Sequence, residues 1–309
     1  MRKNKLLLWV SIIVAALFFV GAWYLFDHHE HTFDEEIPLG KNERGYAFLK
    51  HCTECGQGEI VYYDALVTFV DDDGKTQAML HWEKIIDATG IKMTAALIPG
   101  KISEETDYDS WWSYAGWDLL ERLREKGIDF VNHTFSHTNL TKLTEEEIHQ
   151  DLQKAKSALK EHDIDSNILV YPNNAHDQLV ESIVDDYFDA AFACGGKVIT
   201  ETFSKCYGLD RININDATLT KTIAFDAERI VECQGIKSLE KLKEELNVAL
   251  ENRGWLVFMT HAYDSPGGQY YFDEESEQSI IDFCLYIQTL ENVKIVTLTE
   301  GVEASGELS

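Results

Sequence analysis

Three groups of residues carry side chains that can bind a metal ion or transfer a proton. They are the carboxylate run Asp71–Gly74, the segment Asn132–His137 with imidazoles at positions i and i+4, and His261. Adjacent carboxylates repel one another and so favour a neighbouring cation. Two neutral imidazoles and one carboxylate make a three-ligand zinc set that leaves a position open for water. Each group alone also fits a surface turn or a structural histidine, but together they indicate one metal site.

Each of these groups follows a short apolar run that is typical of a buried strand. Seven such runs alternate with amphipathic stretches: Ala65–Val70, Met93–Ile98, Ile128–Val131, Ile168–Tyr171, Ala190–Ala193, Trp255–Met259 and Val293–Leu298. Continuous runs rich in Val, Ile or Phe are expected for strands covered on both faces. Strands that alternate with helices favour a parallel sheet. The sequence therefore predicts an α/β fold, a distorted seven-stranded (β/α) barrel with its site at the carboxyl ends of the strands.

Two of the intervening helices can be placed from their capping and spacing. Thr144 and Glu147 have the spacing of a capping box. The apolar positions that follow recur with helical spacing at Ile148, Leu152, Ala155 and Leu159. A second helix is indicated by Leu239, Leu242, Leu246 and Leu250, and Gly254 is expected to end it.

The segment Leu6–Phe26 is 21 residues long and uncharged. A helix of that length spans about 30 Å, the thickness of a bilayer's hydrocarbon core. Because three basic residues precede it, we expect the N-terminus to be cytoplasmic. The predicted organisation is a cytoplasmic tip (1–5), a transmembrane anchor (6–26), a linker (27–60) and a catalytic domain (61–309) outside the cell membrane. A cleaved signal peptide, giving a secreted protein, is the alternative, although no small-residue cleavage site follows the apolar run.

The net charge of the chain is −27, and it is distributed unevenly. After residue 27 there remain 24 basic and 53 acidic side chains, a net charge of about −29. Such a surface repels phosphates, which excludes nucleic acid as a partner. Six cysteines include the pair Cys52 and Cys55 in a C-x-x-C spacing. A disulfide or a plain thiol pair is favoured there over a zinc knuckle or a redox site.

Four motifs in chain order resemble those of the polysaccharide deacetylases, the NodB-homology family of carbohydrate esterases (family 4). Asp72–Gly74 is similar to the Asp-Asp-Gly of the first motif, and Asn132–His137 to the His-Ser/Thr-x-x-His of the second. Leu169–Asn174 stands where the third motif ends in Pro-Tyr-Gly. Met259–His261 stands where the family has its final Leu-x-His. The resemblance extends over about residues 62–301 and is far more specific than any single motif.

This resemblance implies a distorted (β/α) barrel and a divalent metal, Zn²⁺ foremost, with Co²⁺, Ni²⁺ or Mn²⁺ as alternatives. The implied metal ligands are Asp73, His133 and His137. Asp72 would be the general base and His261 the general acid. Pro172 and Asn173 would shape the oxyanion site, the main-chain amide of Asn173 helping to hold the negative charge.

The chain departs from the family pattern at two places. Asp71 replaces the apolar residue that usually precedes the Asp pair, which leaves one residue of ambiguity between the carboxylates. The Arg of the third motif is missing, and that Arg orients the catalytic Asp in many members. Arg211 is a candidate replacement, with a surface ion pair as the alternative reading.

The sequence thus predicts a metal-dependent hydrolase that removes acetyl groups, N-acetyl rather than O-acetyl, from a cell-surface or extracellular polysaccharide. Its expected partners are that polysaccharide and the membrane. One alternative is a catalytically inactive barrel that binds glycans. Another is a hydrolase of a small amide that uses the same metal site.

Overall fold

The computed structural model describes residues 33–203, 205–213, 221–226, 229–233, 238–261 and 272–308. The predicted anchor, residues 6–26, lies outside these ranges. Among the described residues, no helix is both long and apolar enough to span a membrane.

The described residues divide into two compact units, residues 33–37 with 48–61, and residues 38–47 with the described residues from 62 onward. Strands β1 (Phe33–Asn42), β2 (Gly45–Cys52) and β3 (Gly58–Tyr63) form a three-stranded sheet in the order β1-β2-β3. These strands occupy most of the segment predicted to be a linker. The sequence does not predict β1 as a strand, because Pro38 and Gly40 lie within it and both residues disfavour strands.

The larger unit is built on a curled sheet in which every described strand pair is parallel. Its first strands are β4 (Ala65–Asp73), β5 (Thr94–Leu97), β6 (Asp129–Asn132), β7 (Ile168–Val170), β8 (Ala190–Phe192), β9 (Cys206–Leu209) and β10 (Ile212–Asn213). After the separate antiparallel pair β11 (Lys221–Asp226) and β12 (Arg229–Cys233) come β13 (Trp255–His261) and β14 (Val293–Ile295). The order is β10-β13-β4-β5-β6-β7-β8-β9, with β14 beside the start of β4. All seven predicted strands are present, and the short strands β9 and β10 extend the two ends.

Helices follow the strands, as expected for a (β/α) barrel. They are α1 (Thr76–Thr89), α2 (Trp117–Glu125), α3 (Glu145–Lys160), α4 (Gln178–Val184), α5 (Leu239–Asn252), α6 (Glu274–Ile287) and α7 (Leu298–Ala304). Helix α3 begins with the predicted capping box, and its four predicted apolar positions are the ones it buries. Helix α5 ends at Arg253 in a left-handed conformation, one residue before the predicted Gly254.

The two faces of the sheet have different neighbours, which matters for the site. On β4, Val67 and Phe69 pack in the cluster that the helices cover, with Phe69 and Trp82 of α1 having ring centroids 5.6 Å apart. Thr68 points to the inner face, where its hydroxyl accepts a hydrogen bond from Trp255 Nε1 at 2.9 Å. Side chains alternate along a strand, so consecutive residues at the end of β4 reach opposite faces.

Candidate active site

The predicted site residues follow three parallel strands at one rim of the sheet. Asp73 ends β4, His133 follows β6, and His261 ends β13. The register aligns His261 with Asp72 across β13 and β4. Asp73, the last residue of β4, has a φ of 77°. This left-handed conformation bends the backbone away from the direction of the strand.

Asp73, His133 and His137 form a group that could hold a metal ion, each with a ligand atom within 4.8 Å of the others. Nε2 of His133 lies 3.5 Å, and Nε2 of His137 3.2 Å, from Oδ1 of Asp73. Within the described part of the chain, this buried oxygen has no hydrogen-bond partner. An unsatisfied buried carboxylate oxygen facing two imidazoles fits a divalent cation, because one carboxylate and two histidines are a regular zinc donor set.

The imidazole of His133 is oriented by a main-chain carbonyl. Its Nδ1 lies 2.7 Å from the Val170 oxygen, and since a carbonyl only accepts, Nδ1 must donate. In the neutral ring this leaves the lone pair on Nε2, which faces Asp73. Burial lowers the pKa of His133, but the nearby carboxylates of Asp73 and Asp72 outweigh it and leave the pKa above its ordinary value.

The charges of the other two candidate ligands, Asp73 and His137, follow from their surroundings. Burial raises the pKa of Asp73, but His261 and His133 outweigh that effect and hold the pKa well below its ordinary range. Burial, with the charge of His133, lowers the pKa of His137 to about 4. Asp73 is therefore ionised and His137 neutral at neutral pH, the states that metal ligation requires.

The segment between the two histidines reaches this geometry without forming a helix. Thr134 and His137 both have left-handed backbones, with φ of 63° and 61°. The Asn132 side chain accepts from the Thr134 amide at 2.7 Å, and the Thr134 hydroxyl accepts from the His137 amide at 3.1 Å. Turns held by the side chains of Asn132 and Thr134, rather than a helical turn, therefore bring the two imidazoles together.

Helix α3 anchors the same loop through Asp151. This carboxylate accepts from the Phe135 amide at 2.7 Å and from the Ser136 hydroxyl at 2.5 Å. Sequence reasoning missed this contact. The signal available was an acidic residue on α3 next to the buried position Leu152, and that signal is weak.

Asp72 lies on the inner face of the sheet and is held by Arg211. Nη1 and Nη2 of Arg211 donate to the two carboxylate oxygens at 2.6 and 3.0 Å, and Nε donates to the Ala193 carbonyl at 2.9 Å. Both side chains are buried. Burial raises the pKa of Asp72, but Arg211 and His133 outweigh it, so the pKa lies below its ordinary value. The structure therefore places Arg211 as a bidentate partner of Asp72 rather than in a surface ion pair.

The remaining predicted residues flank this group. Nε2 of His261 lies 3.2 Å from Oδ2 of Asp73, and its side chain remains 21% exposed, so it can meet a ligand from solvent. Pro172 and Asn173 lie on the loop after β7, close in sequence to the Val170 carbonyl that binds His133. Asn173 is exposed and has a φ of 58°. The structure brings this loop next to His133 but gives Asn173 no side-chain hydrogen bond to the carboxylates among the described contacts.

Asp71 points away from the site, which resolves the ambiguity among the three carboxylates. Its Oδ2 accepts from the Thr260 hydroxyl at 2.7 Å and from Trp82 Nε1 at 3.4 Å, on the face covered by α1. Burial raises the pKa of Asp71 well above its ordinary value, and Thr260 only partly offsets the effect. The alternation of side chains along β4 was the sequence signal that separates Asp71 from Asp72.

The fold and the site together define a parallel α/β domain of the (β/α) barrel type, with a candidate metal centre at the carboxyl rim. Residues 64–187 match the model of the family described as polysaccharide deacetylase, which confirms the resemblance seen in the sequence. The matched segment contains Asp72, Asp73, the candidate ligands His133 and His137, and the loop after β7. Arg211 and His261 lie beyond it. No curated protein matches the chain.

Solved structures are similar to this chain at low sequence identity, and the first one below supports the fold. A putative polysaccharide deacetylase from Mycobacterium smegmatis matches with a TM-score of 0.55 at 13% identity, over 79% of this chain and 90% of that chain. The Xyl-CE4 domain of a multidomain xylanase from the hindgut metagenome of Trinervitermes trinervoides gives 0.47 at 15% identity, over 76% and 88%. A family 4 carbohydrate esterase from Streptomyces lividans in complex with acetate gives 0.47 at 11% identity, over 78% and 96%.

Proposed function

We propose that the protein is a metal-dependent deacetylase that removes acetyl groups from a polysaccharide. The observation that carries the proposal is the convergence of Asp73, His133 and His137 on one point beside the ionised Asp72 and the partly exposed His261. The match to the polysaccharide deacetylase family over residues 64–187 supports the choice of acetyl groups on a glycan.

Asp73, His133 and His137 would hold the cation, with Zn²⁺ favoured by the donor set and Co²⁺, Ni²⁺ or Mn²⁺ as alternatives. When bound, such an ion polarises a carbonyl oxygen and lowers the pKa of a water molecule. Nδ1 of His133, donating to Val170, keeps the ring in the orientation that directs Nε2 at the ion.

The neighbouring residues divide the proton transfers between them. Asp72, kept ionised and oriented by Arg211, takes the proton of the attacking water as general base. His261 gives a proton to the departing group as general acid. The main-chain amide of Asn173 donates to the negative oxygen of the tetrahedral intermediate.

An N-acetyl group is the favoured target. An amine is a poor leaving group unless it is protonated as it departs, and His261 offers an acid within this group of residues. An O-acetyl ester needs that acid less. The same residues could cleave a small amide, so turnover on polymers and on a small acetamide must be compared.

The test is acetate release from N-acetylated and O-acetylated glycans, with and without a chelator and with divalent metal added back. We expect release by the wild type, loss on chelation and recovery with metal. Asp72→Asn should lose about 10²–10⁴-fold in rate, the typical contribution of a general base. The matched control is Asp165→Asn, at a side chain that is 69% exposed.

Each other outcome has a definite meaning. Binding of a glycan without acetate release by the wild type would identify an inactive glycan-binding barrel. Release from a small acetamide but from no glycan would identify a small-amide hydrolase. Activity that is indifferent to the chelator and to Asp73→Asn would refute the metal site.

We also propose that the domain works outside the cytoplasmic membrane. The support is the uncharged segment Leu6–Phe26 with Arg2, Lys3 and Lys5 before it. Membrane fractionation and protease accessibility of the domain in intact cells test this. Recovery of the full chain in the cytosolic fraction would overturn it.

A further inference from the structure

An exposed aromatic loop lies beside the candidate active site. Residues 107–115, here called the aromatic loop, carry Tyr108, Trp111 and Trp112, which are 44%, 37% and 58% exposed. The other described tryptophans, Trp82, Trp117 and Trp255, are buried. Large exposed rings that cluster on one loop are unusual for a monomer surface and point to a ligand.

Main-chain hydrogen bonds tie this loop to the residues directly after Asp73. The Ala115 amide donates to the Gly74 carbonyl at 2.9 Å, and the Thr76 amide donates to the Ser113 carbonyl at 3.0 Å. Nζ of Lys75 donates to the Trp112 carbonyl at 3.1 Å. The aromatic loop is therefore held at the same rim as the proposed metal ligands. The side chain of Lys75 links the main chain of Trp112 to the segment that follows Asp73.

Hydrogen bonds of Ser110 and Ser113 hold the main chain of the aromatic loop in place. The Ser113 hydroxyl lies 2.7 Å from the Thr76 hydroxyl, 2.6 Å from the Asp107 carbonyl and 2.9 Å from the Ser110 carbonyl. The Trp112 amide donates to the Ser110 hydroxyl at 3.2 Å. Because the main chain of this loop is already ordered, binding a ligand there costs less conformational entropy.

The polar groups around the rings indicate which ligand fits. The carboxylates of Asp107 and Asp109 and the hydroxyl of Ser110 stand beside Trp111 and Trp112 in the chain, and they can accept and donate hydrogen bonds as sugar hydroxyls require. A pyranose also has an apolar C–H face that matches an aromatic ring. An anionic lipid surface is disfavoured by the same carboxylates.

We infer that the aromatic loop is a sugar-binding subsite in which Trp112 stacks on a residue of the polymer other than the one whose acetyl group is removed. The inference rests on the proposed function, because the occupant is the proposed substrate. Stacking on Trp112 would make the enzyme selective for sugar chains over single sugars. Trp111 and Tyr108 extend the same surface.

The kinetic test compares a single acetylated sugar with a chain of it, N-acetylglucosamine against chitohexaose, and acetylated xylose against acetylated xylan. Trp112→Ala should raise KM on the chain about tenfold, as expected for losing burial of one large ring. It should leave kcat, and both constants on the single sugar, unchanged. Trp112→Phe should restore most of the loss. The control is Leu285→Ala on α6, at a side chain with comparable exposure (45%).

A second measurement does not depend on turnover. Retention in native gels that contain soluble glycol chitin or acetylated xylan is compared for Asp72→Asn and for Asp72→Asn with Trp112→Ala. We expect retention to require Trp112, even if the wild type releases no acetate, in which case only the proposed function fails. Equal retention of the two proteins, no retention of either, or equal loss on single sugars and chains would overturn the subsite. Unchanged thermal midpoints of the variants exclude misfolding.

Discussion

The three carboxylates at the end of β4 have three different kinds of partner. Asp73 faces imidazoles and Asp72 faces the guanidinium of Arg211, whereas the partners of Asp71 among the described residues are the neutral donors of Thr260 and Trp82. Burial of a charge is costly unless an opposite charge compensates it. Removing one partner of the buried pair Asp72 and Arg211 is therefore expected to destabilise the rim.

This pair gives a prediction about stability. Arg211→Met should lower the free energy of unfolding by about 3–5 kcal/mol, because it leaves a buried carboxylate without its partner. The double variant Arg211→Met with Asp72→Leu should be more stable than Arg211→Met alone, since replacing both charges by apolar groups is often close to neutral. Urea unfolding followed by fluorescence measures the difference.

An exposed pair of the same chemistry serves as the control. Nε and NH2 of Arg122 donate to the two carboxylate oxygens of Glu83 at 3.1 and 2.9 Å, but the Arg122 side chain is 45% exposed. Arg122→Met should cost at most about 1 kcal/mol. Equal losses at Arg211 and Arg122 would show that burial of the Asp72 pair has no special effect.

Asp129 on β6 gives a prediction about pH. It accepts hydrogen bonds from the Thr299 hydroxyl at 2.8 Å and from the Thr299 amide at 3.3 Å. Burial still raises its pKa above the ordinary value of 3.8. A carboxyl with a raised folded-state pKa binds its proton more tightly when folded, so its stabilising contribution is present below the ordinary pKa and is lost as pH rises through the raised one.

Asp129→Asn keeps an acceptor for Thr299 and removes the charge. The variant should therefore gain stability relative to the wild type as pH rises from about 4 towards about 8. Urea unfolding midpoints of both proteins over this range measure the effect. A difference that is constant with pH, or that runs the other way, would contradict the direction of the Asp129 shift.

At the scale of elements, α3 positions the loop that carries the candidate ligands His133 and His137 through one side chain. Asp151→Ala removes the acceptor of both the Phe135 amide and the Ser136 hydroxyl, so the loop that presents His133 and His137 loses its anchor. We expect metal affinity to fall about 10–100-fold, the usual effect of losing an outer contact that orients ligands. Competition with a chromogenic chelator measures it.

The neighbouring position on α3 offers a control for that experiment. Gln150 is exposed and its amide donates only to Glu146 among the described contacts. Gln150→Ala should leave metal affinity unchanged. If Asp151→Ala binds metal as tightly as the wild type, the loop is held by its own turns at Thr134 and His137, and α3 has no part in positioning the ligands.

Elements with regular periodicity could be predicted from the sequence. The seven apolar runs all form strands, and the face of α3 buries the four positions that helical spacing selects. Strands β1 to β3 were missed because polar residues, Pro38 and Gly40 mask their pattern. The strand β10 was missed because two residues, Ile212 and Asn213, give no periodicity to detect.

At the scale of the whole molecule, the site depends on contacts that no local pattern contains. Arg211 reaches Asp72 across 139 positions of sequence, and His261 meets Asp73 across 188. The family motifs were sufficient to find Asp73, His133 and His137, because those motifs report the shared rim of a parallel sheet. They could not show that Asp71 turns to the opposite face, because that follows from the register and alternation of β4.

The net charge of −27 has consequences for the proposed reaction over its whole course. Removing N-acetyl groups converts a neutral polymer into a cationic one. A strongly acidic protein attracts that product over long distances and, outside the nearest contacts, the attraction is screened by salt. The fully acetylated substrate has no charge and gains nothing from this field.

Inhibition by a partly deacetylated polymer should therefore weaken as ionic strength rises, while KM for a short, fully acetylated oligomer stays constant. Raising salt from about 0.01 to about 1 M shortens the screening length from about 30 to about 3 Å, so the effect should be largely complete over that range. Initial rates of acetate release, with chitosan as the inhibitor, measure both constants. The control is dextran, an uncharged polysaccharide, and any inhibition by dextran should not depend on salt. If inhibition by chitosan is equally strong at both salt concentrations, the product is held by short-range contacts such as those of the aromatic loop, and the acidic surface has no role in binding it.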